Sequence, residues 1–243
     1  MSSTAPEPRI TALGDAAVLV ELGSTVDLET NRRVRSIAAR ITAATDALPG
    51  WGAPVPGACS VLVPVDPLEP GVRSAVDRLA TLVSAAETGE AGEAGDEAKA
   101  ARLAAAGDPP ILEIPTRYGG EDGPDLAAVA ELTGLTTAAV VERHAAATYT
   151  TLFLGFVPGF GYLGPLPPEL AVPRRPVPRT HVPAGSVAIA GAQTAVYPIE
   201  SPGGWWLIGR TDEVLWDPRR DPPALLRPGA RVLFVPAPGS VGR

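Results

Sequence analysis

The chain has 243 residues, 45% of them hydrophobic, and a formal net charge of −7. That length suits one large domain or two small ones, and the acidic balance argues against a general nucleic-acid or membrane-surface role, because neither polyanion attracts it. Cys59 is the single cysteine, so no intrachain disulfide forms. The first ten residues lack the apolar stretch of a secretory signal. No apolar run approaches the roughly 18 residues a bilayer requires, so a soluble cytoplasmic protein is expected.

Apolar stretches at 10–13 and 16–22 flank Gly14-Asp15, a hairpin-turn signal. Asp27 then precedes a segment in which Val34, Ile37, Ala38 and Ile41 recur at helical spacing, which predicts a capped helix. SVLVPV at 60–65 reads as a strand near a sheet edge, because Pro64 has no N–H for a ladder. Val72, Ala75, Val76, Leu79 and Val83 share one face of a second helix over 71–86. This alternation predicts a small α/β sandwich. Residues 85–107 are rich in Ala, Glu and Gly, with Leu103 as the one large apolar side chain. They bury too little to offset their ordering entropy, so a flexible insertion is expected.

ILEIP at 111–115 reads as another strand. YGGEDGPDL at 118–126 is a turn that enters a helix, with Pro124 and Asp125 near its first turn. Its carboxylates, Glu121, Asp122 and Asp125, suit the positive end of a helix more simply than a Mg²⁺ ion. Thr136 or Thr137 caps a further helix that carries Val140, Val141 and His144 and runs to 148. Beyond it, short runs at 151–156, 187–190, 194–199, 205–208, 214–216 and 231–235 alternate with Gly and Pro clusters, the pattern of an all-β barrel or sandwich. The domain boundary is therefore placed near 148, giving domains 1–148 and 149–243.

No GxxxxGK[ST] phosphate loop and no GxSxG elbow is present. His144, His181 and Cys59 are too few and too scattered for zinc, so no metal site is assigned. The strongest positive signal is PRRPVPR at 173–179, which sets Arg174, Arg175 and Arg179 among three prolines. Proline stiffens the segment, and the guanidinium fork matches a carboxylate or phosphate, so the loop reads either as an anion clamp or as a solvated surface loop. Gly185-Ser186 is a turn whose Ser186 can face a ligand or bond its own backbone. Gln193 and Tyr197 fall on one face of a predicted strand. Trp205 and Trp206 point to opposite faces, beside Arg210. His144, a lone histidine, reads as a structural residue or as a catalyst.

These motifs together resemble the KipI/PxpB family, known as the B subunit of 5-oxoprolinase or as allophanate hydrolase subunit 1. The resemblance runs through LGD at 13–15, SVLVPVDP at 60–67, YGGEDGPDL, His144 with Tyr149, LGFVPGFGYL at 154–163, PRRPVPR, VPAGSVAIAG at 182–191 and SPGGWWLIGRT at 201–211. It implies an α+β chain, with a small N-terminal α/β sandwich followed by a cyclophilin-like β-barrel. It also implies a complex with a homologous C subunit (KipA/PxpC-like) and an A subunit (PxpA-like) that opens 5-oxo-L-proline to L-glutamate at the expense of ATP, with Mg²⁺, through phosphorylation of the lactam carbonyl. On this basis His144, Arg174 and Arg179 are candidate catalytic residues, and Ser186, Gln193, Tyr197 and Arg210 candidate substrate- or phosphate-binding residues. Two features depart from the family pattern: the 85–107 insertion, and Asp212 where proline often follows GRT. The alternatives are a binding protein that inhibits a sensor histidine kinase, as KipI-like members do, and a detached piece of an allophanate hydrolase or urea carboxylase type of enzyme.

Overall fold

Valines at every second position build the first sheet. The computed structural model describes residues 6–45, 48–69, 71–88 and 110–238. Strands β1 (Arg9–Ala12), β2 (Ala17–Glu21), β3 (Val55–Pro56) and β4 (Ser60–Pro64) pair antiparallel in the order β1-β2-β4-β3. Val18, Val20, Val61 and Val63 are fully buried, because a period of two puts them on one face. Helices α1 (Leu28–Ala44) and α2 (Val72–Thr88) cover that face with Val34, Ile37, Ile41, Leu79 and Val83. Asp27 caps α1: its Oδ1 accepts from the Thr30 N–H at 2.7 Å, a bond that holds the carboxyl below its usual pKa.

Strand β4, expected at or near an edge, is the penultimate strand, lying between β2 and the two-residue edge strand β3. Pro64 is its last residue, where the carbonyl still accepts from Gly52 N–H at 2.8 Å and the missing donor disrupts nothing. Helix α2 continues to Thr88, and the rest of the expected insertion, 89–107, lies outside the described residues.

The chain divides between Pro109 and Pro110, not near 148. The reason is β5 (Leu112–Tyr118), which pairs parallel with β13 (Arg231–Pro236) and antiparallel with β12 (Trp206–Arg210). It is a stave of the barrel, so the barrel unit starts before it and includes α3 (Leu126–Thr133) and α4 (Thr137–Ala146). The other staves are β6 (Thr148–Leu154), β7 (Gly161–Gly164), β9 (Ser186–Ala190) and β10 (Gln193–Val196). The ring closes in the order β10-β7-β6-β13-β5-β12-β9. A two-stranded sheet, β8 (Arg179–Val182) with β11 (Ser201–Gly203), stands apart from it. The strand expected at 214–216 is reduced to a single bridge, Trp216 to Ala224.

The barrel unit has two apolar clusters. One gathers Ile114, Val187, Ile189, Ile208, Val232 and Phe234 with Val129 and Val140 of the helices. The other gathers Phe160, Ala188, Ala195, Tyr197, Trp205 and Leu207, with Val182 of β8 packed among them. Alternate residues of β9 join different clusters, so all five of its positions are buried and its sequence, SVAIA, shows no polar alternation. Among the described residues no helix is long and apolar enough to cross a membrane.

Candidate functional site

The arginine loop is tied to the barrel by one carboxylate. Asp125 directly precedes α3, and its side chain is only 6% exposed. Its N-cap position would ordinarily direct an oxygen to the first helical amides, but the side chain makes no capping bond. Instead Arg179 donates to both carboxylate oxygens, at 2.8 and 2.7 Å. Arg175 donates to Oδ1 at 2.8 Å, and the Leu207 N–H donates to Oδ2 at 2.8 Å. The Arg175 guanidinium also lies 5.2 Å from the Trp206 ring centroid, within cation–π range. Trp206 Nε1 donates to the Pro173 carbonyl at 2.6 Å, and Arg175 N–H to the Gly204 carbonyl at 2.8 Å.

Arg174 is thereby left exposed between two fixed neighbours. Its charge falls on Tyr162 and Tyr197, two phenols of the second cluster. Burial raises the pKa of both, and Arg174 lowers each in part. Tyr162 stacks on Phe153 with ring centroids 4.2 Å apart and 12° between planes. Trp205 lies edge-on to Tyr162 at 5.8 Å. The backbone amide of Trp205 meets the Tyr197 hydroxyl, and a Cβ at Gly203 would overlap that hydroxyl, so only glycine fits there. Tyr197 and Trp205 are themselves buried, so of these rings Tyr162 and Phe153 are the partly exposed ones, and Arg174 is the exposed cation of the loop. An exposed guanidinium of this kind suits a carboxylate or phosphate.

Of the expected site residues, Arg179 is held by Asp125, while Ser186 lies against Tyr197, whose N–H donates to its carbonyl at 2.9 Å, and opposite Arg210. His144 is the main correction. It is fully buried and satisfied on both ring nitrogens, by Tyr118 Oη at 2.8 Å on Nδ1 and Thr194 Oγ1 at 2.9 Å on Nε2. Thr194 donates its own proton to the Ala188 carbonyl at 3.0 Å, so it accepts from Nε2–H, and Nδ1 accepts from Tyr118. Burial lowers the His144 pKa to about 3, and Phe234 lies 4.6 Å from its ring. This enclosed imidazole ties α4 to β5 and β10 and has no exposed face.

Ser186 is likewise buried, beneath a turn in which a Cβ at Gly185 would overlap the Thr211 carbonyl. Gln193 sits four residues before Tyr197, about 13 Å away along an extended strand, beside the Gly191 turn. Arg210 is the cross-strand neighbour of Arg117 and Ser186. The Asp212 charge that departs from the family pattern is taken by Arg117, at 2.6 Å from Nη1 and 3.1 Å from Nη2, which holds Asp212 below the usual carboxylate range. Arg117 also engages Asp122 at 2.9 Å. Asp122 and Asp125 are thus both engaged by arginines, and Asp125, though at the N-cap of α3, makes no capping bond. Among the described residues no three His, Cys, Asp or Glu side chains gather as metal ligands.

A concavity of about 210 Å³ lies between Tyr118, Gly119, Gly123, Leu126 and Val141. No charged side chain lines it, so it offers an anion little. Sequence reasoning gave Asp125 and Tyr162 no place in the site. The available signal was three arginines in a stiff loop, which need a counter-charge once half-buried.

A barrel of this topology following a small α+β unit defines the class. A family model for the carboxyltransferase domain, subdomains C and D, matches residues 8–226, and the chain belongs to that family. Within it, the chain is 42% identical over 224 residues to the B subunit of 5-oxoprolinase from Escherichia coli O157:H7, spanning 92% of this chain and 94% of that one. It is 36% identical over 241 residues to the corresponding B subunit of Bacillus subtilis strain 168, spanning 93% and 92%. Among solved structures, TTHA0988 superimposes with a TM-score of 0.74 at 36% identity, over 94% of this chain but 42% of that one. This chain therefore spans about two-fifths of that longer polypeptide. PH0987 from Pyrococcus horikoshii matches at 38% identity and a TM-score of 0.52, over 94% and 97%. The Kluyveromyces lactis urea amidolyase, at 21% identity and a TM-score of 0.74, shares the fold.

Proposed function

We propose that the chain is the B subunit of an ATP-dependent 5-oxoprolinase, acting with the A and C subunits to convert 5-oxo-L-proline to L-glutamate. The observation that carries this reading is the near full-length similarity to two proteins named as 5-oxoprolinase B subunits. The site supports it chemically. 5-Oxoproline is a small lactam ring bearing one carboxylate, and the exposed Arg174 offers a guanidinium for it. A five-membered lactam is a stable amide, so transfer of the ATP γ-phosphoryl group to its carbonyl oxygen, with release of ADP, creates a leaving group. One water then adds at that carbon and the ring C–N bond opens, leaving an acyl phosphate, which a second water hydrolyses to the carboxylate and inorganic phosphate. The part assigned to this chain is to hold the anionic end of the substrate. ATP and Mg²⁺ enter as substrate and its counter-ion.

The similar proteins do not favour the kinase-inhibitor alternative. The test is co-expression with homologues of the A and C subunits and an assay of glutamate released from 5-oxo-L-proline. Release that requires ATP and all three chains is expected. A well-folded complex without activity, beside an active control complex, would overturn the reading.

A further inference from the structure

We infer that Asp125 is the positioning residue of the cationic loop: by gripping Arg175 and Arg179 it sets Arg174 as the cation that meets the anionic ligand. The nature of the ligand rests on the function proposed above; the clamp does not. Three observations support it. All the side-chain bonds of Asp125 go to distant partners, 50, 54 and 82 residues away, and none to the helix it precedes. Its geometry is specific, since Arg179 binds in a two-pronged fork that fixes orientation as well as distance. The cluster is also unbalanced: two guanidinium groups face one carboxylate, leaving a net positive charge to which Arg174 adds another. A clamp built for stability alone gains most from matched charges, whereas this one keeps the loop cationic in an acidic protein.

Arg174 itself touches neither Asp125 oxygen. Its backbone is held on one side by Trp206 at the Pro173 carbonyl, and on the other by Arg175 through Asp125, Gly204 and the Trp206 ring. Removing the carboxylate releases Arg175 and Arg179 together and so loosens the backbone that carries Arg174.

The variant of choice is Asp125→Asn, which keeps the volume and an acceptor for the Leu207 N–H while removing the charge. Limited trypsin digestion reads the loop without any activity, at the Arg174–Arg175 and Arg179–Thr180 bonds. Cleavage is expected to be about tenfold faster in Asp125→Asn than in the parent, at unchanged far-UV dichroism. In the three-subunit complex, KM for 5-oxo-L-proline is expected to rise about tenfold, with kcat nearly unchanged. The decisive arm combines Asp125→Asn with Arg174→Ala. If Asp125 acts through Arg174, the double variant is no worse in KM than Arg174→Ala alone. Additive KM effects, or parental trypsin rates in Asp125→Asn, would overturn the inference. A wild-type complex that does not open the lactam would sink the proposed reaction only. Calorimetric titration of the same complexes with inorganic phosphate then reads the same cycle, with non-additive weakening expected and additive weakening or no change contradicting it.

Discussion

His144 and Asp125 show how burial decides what a polar side chain does. Both sit in segments rich in apolar neighbours, and both are satisfied by partners far along the chain. The imidazole stays neutral because it is fully enclosed, with a pKa near 3 against about 6.5 when unfolded. In that window the unfolded chain binds a proton that the native chain refuses, so stability falls as pH drops from about 6.5 towards 3, by at most ~1.4 kcal/mol per unit. Urea unfolding between about pH 7 and pH 4 should show this slope, and His144→Gln should flatten it while lowering stability at neutral pH. An equal slope in the variant would assign the acid sensitivity elsewhere. Asp125→Ala is expected to cost about 3 kcal/mol in the same assay, because it strands two half-buried guanidinium groups. The arginines were legible as a group from PRRPVPR alone. Which of them is engaged and which is exposed was not, because the deciding carboxylate lies about fifty residues upstream.

Elements formed where local signals agreed. The Asp27 cap, the face of α2 and the Thr136 cap were all legible, since each depends on residues within a few turns. The assignment of β5 was not. LEIPTRY follows a helix and precedes two more, so it reads as part of an alternating α/β half. Only its pairing with β13, more than a hundred residues later, places it in the barrel. Strands β7, β8 and β11 are three or four residues long, and β7 and β11 are rich in Gly or Pro, which hides any alternation. A fragment 110–243 is therefore expected to unfold cooperatively, whereas 149–243 lacks the stave between β12 and β13 and should not, as near-UV dichroism and urea titration can show. Close contact between elements adds a further expectation. A Cβ at Gly123 would overlap the Ile208 carbonyl, so Gly123→Ala should cost ~1–3 kcal/mol by pushing the loop off β12. Wild-type stability in that variant would mean that the loop yields freely.

At the scale of the whole molecule, an acidic chain presents one locally cationic loop, held on a β-barrel by a single carboxylate. Family membership follows from the match over 8–226, and the reaction is proposed through the similarity to named B subunits. What the structure adds is a division of labour within the loop: Arg175 and Arg179 bind the protein, and Arg174 faces outward. The measurement that tests this most directly is the kinetics of Arg174→Ala in the reconstituted three-subunit complex, with 5-oxo-L-proline varied at saturating ATP. The account predicts an intact complex whose KM for the lactam rises about tenfold or more, as the loss of one charge-assisted contact requires. An Arg174→Ala complex with wild-type KM and kcat would contradict it.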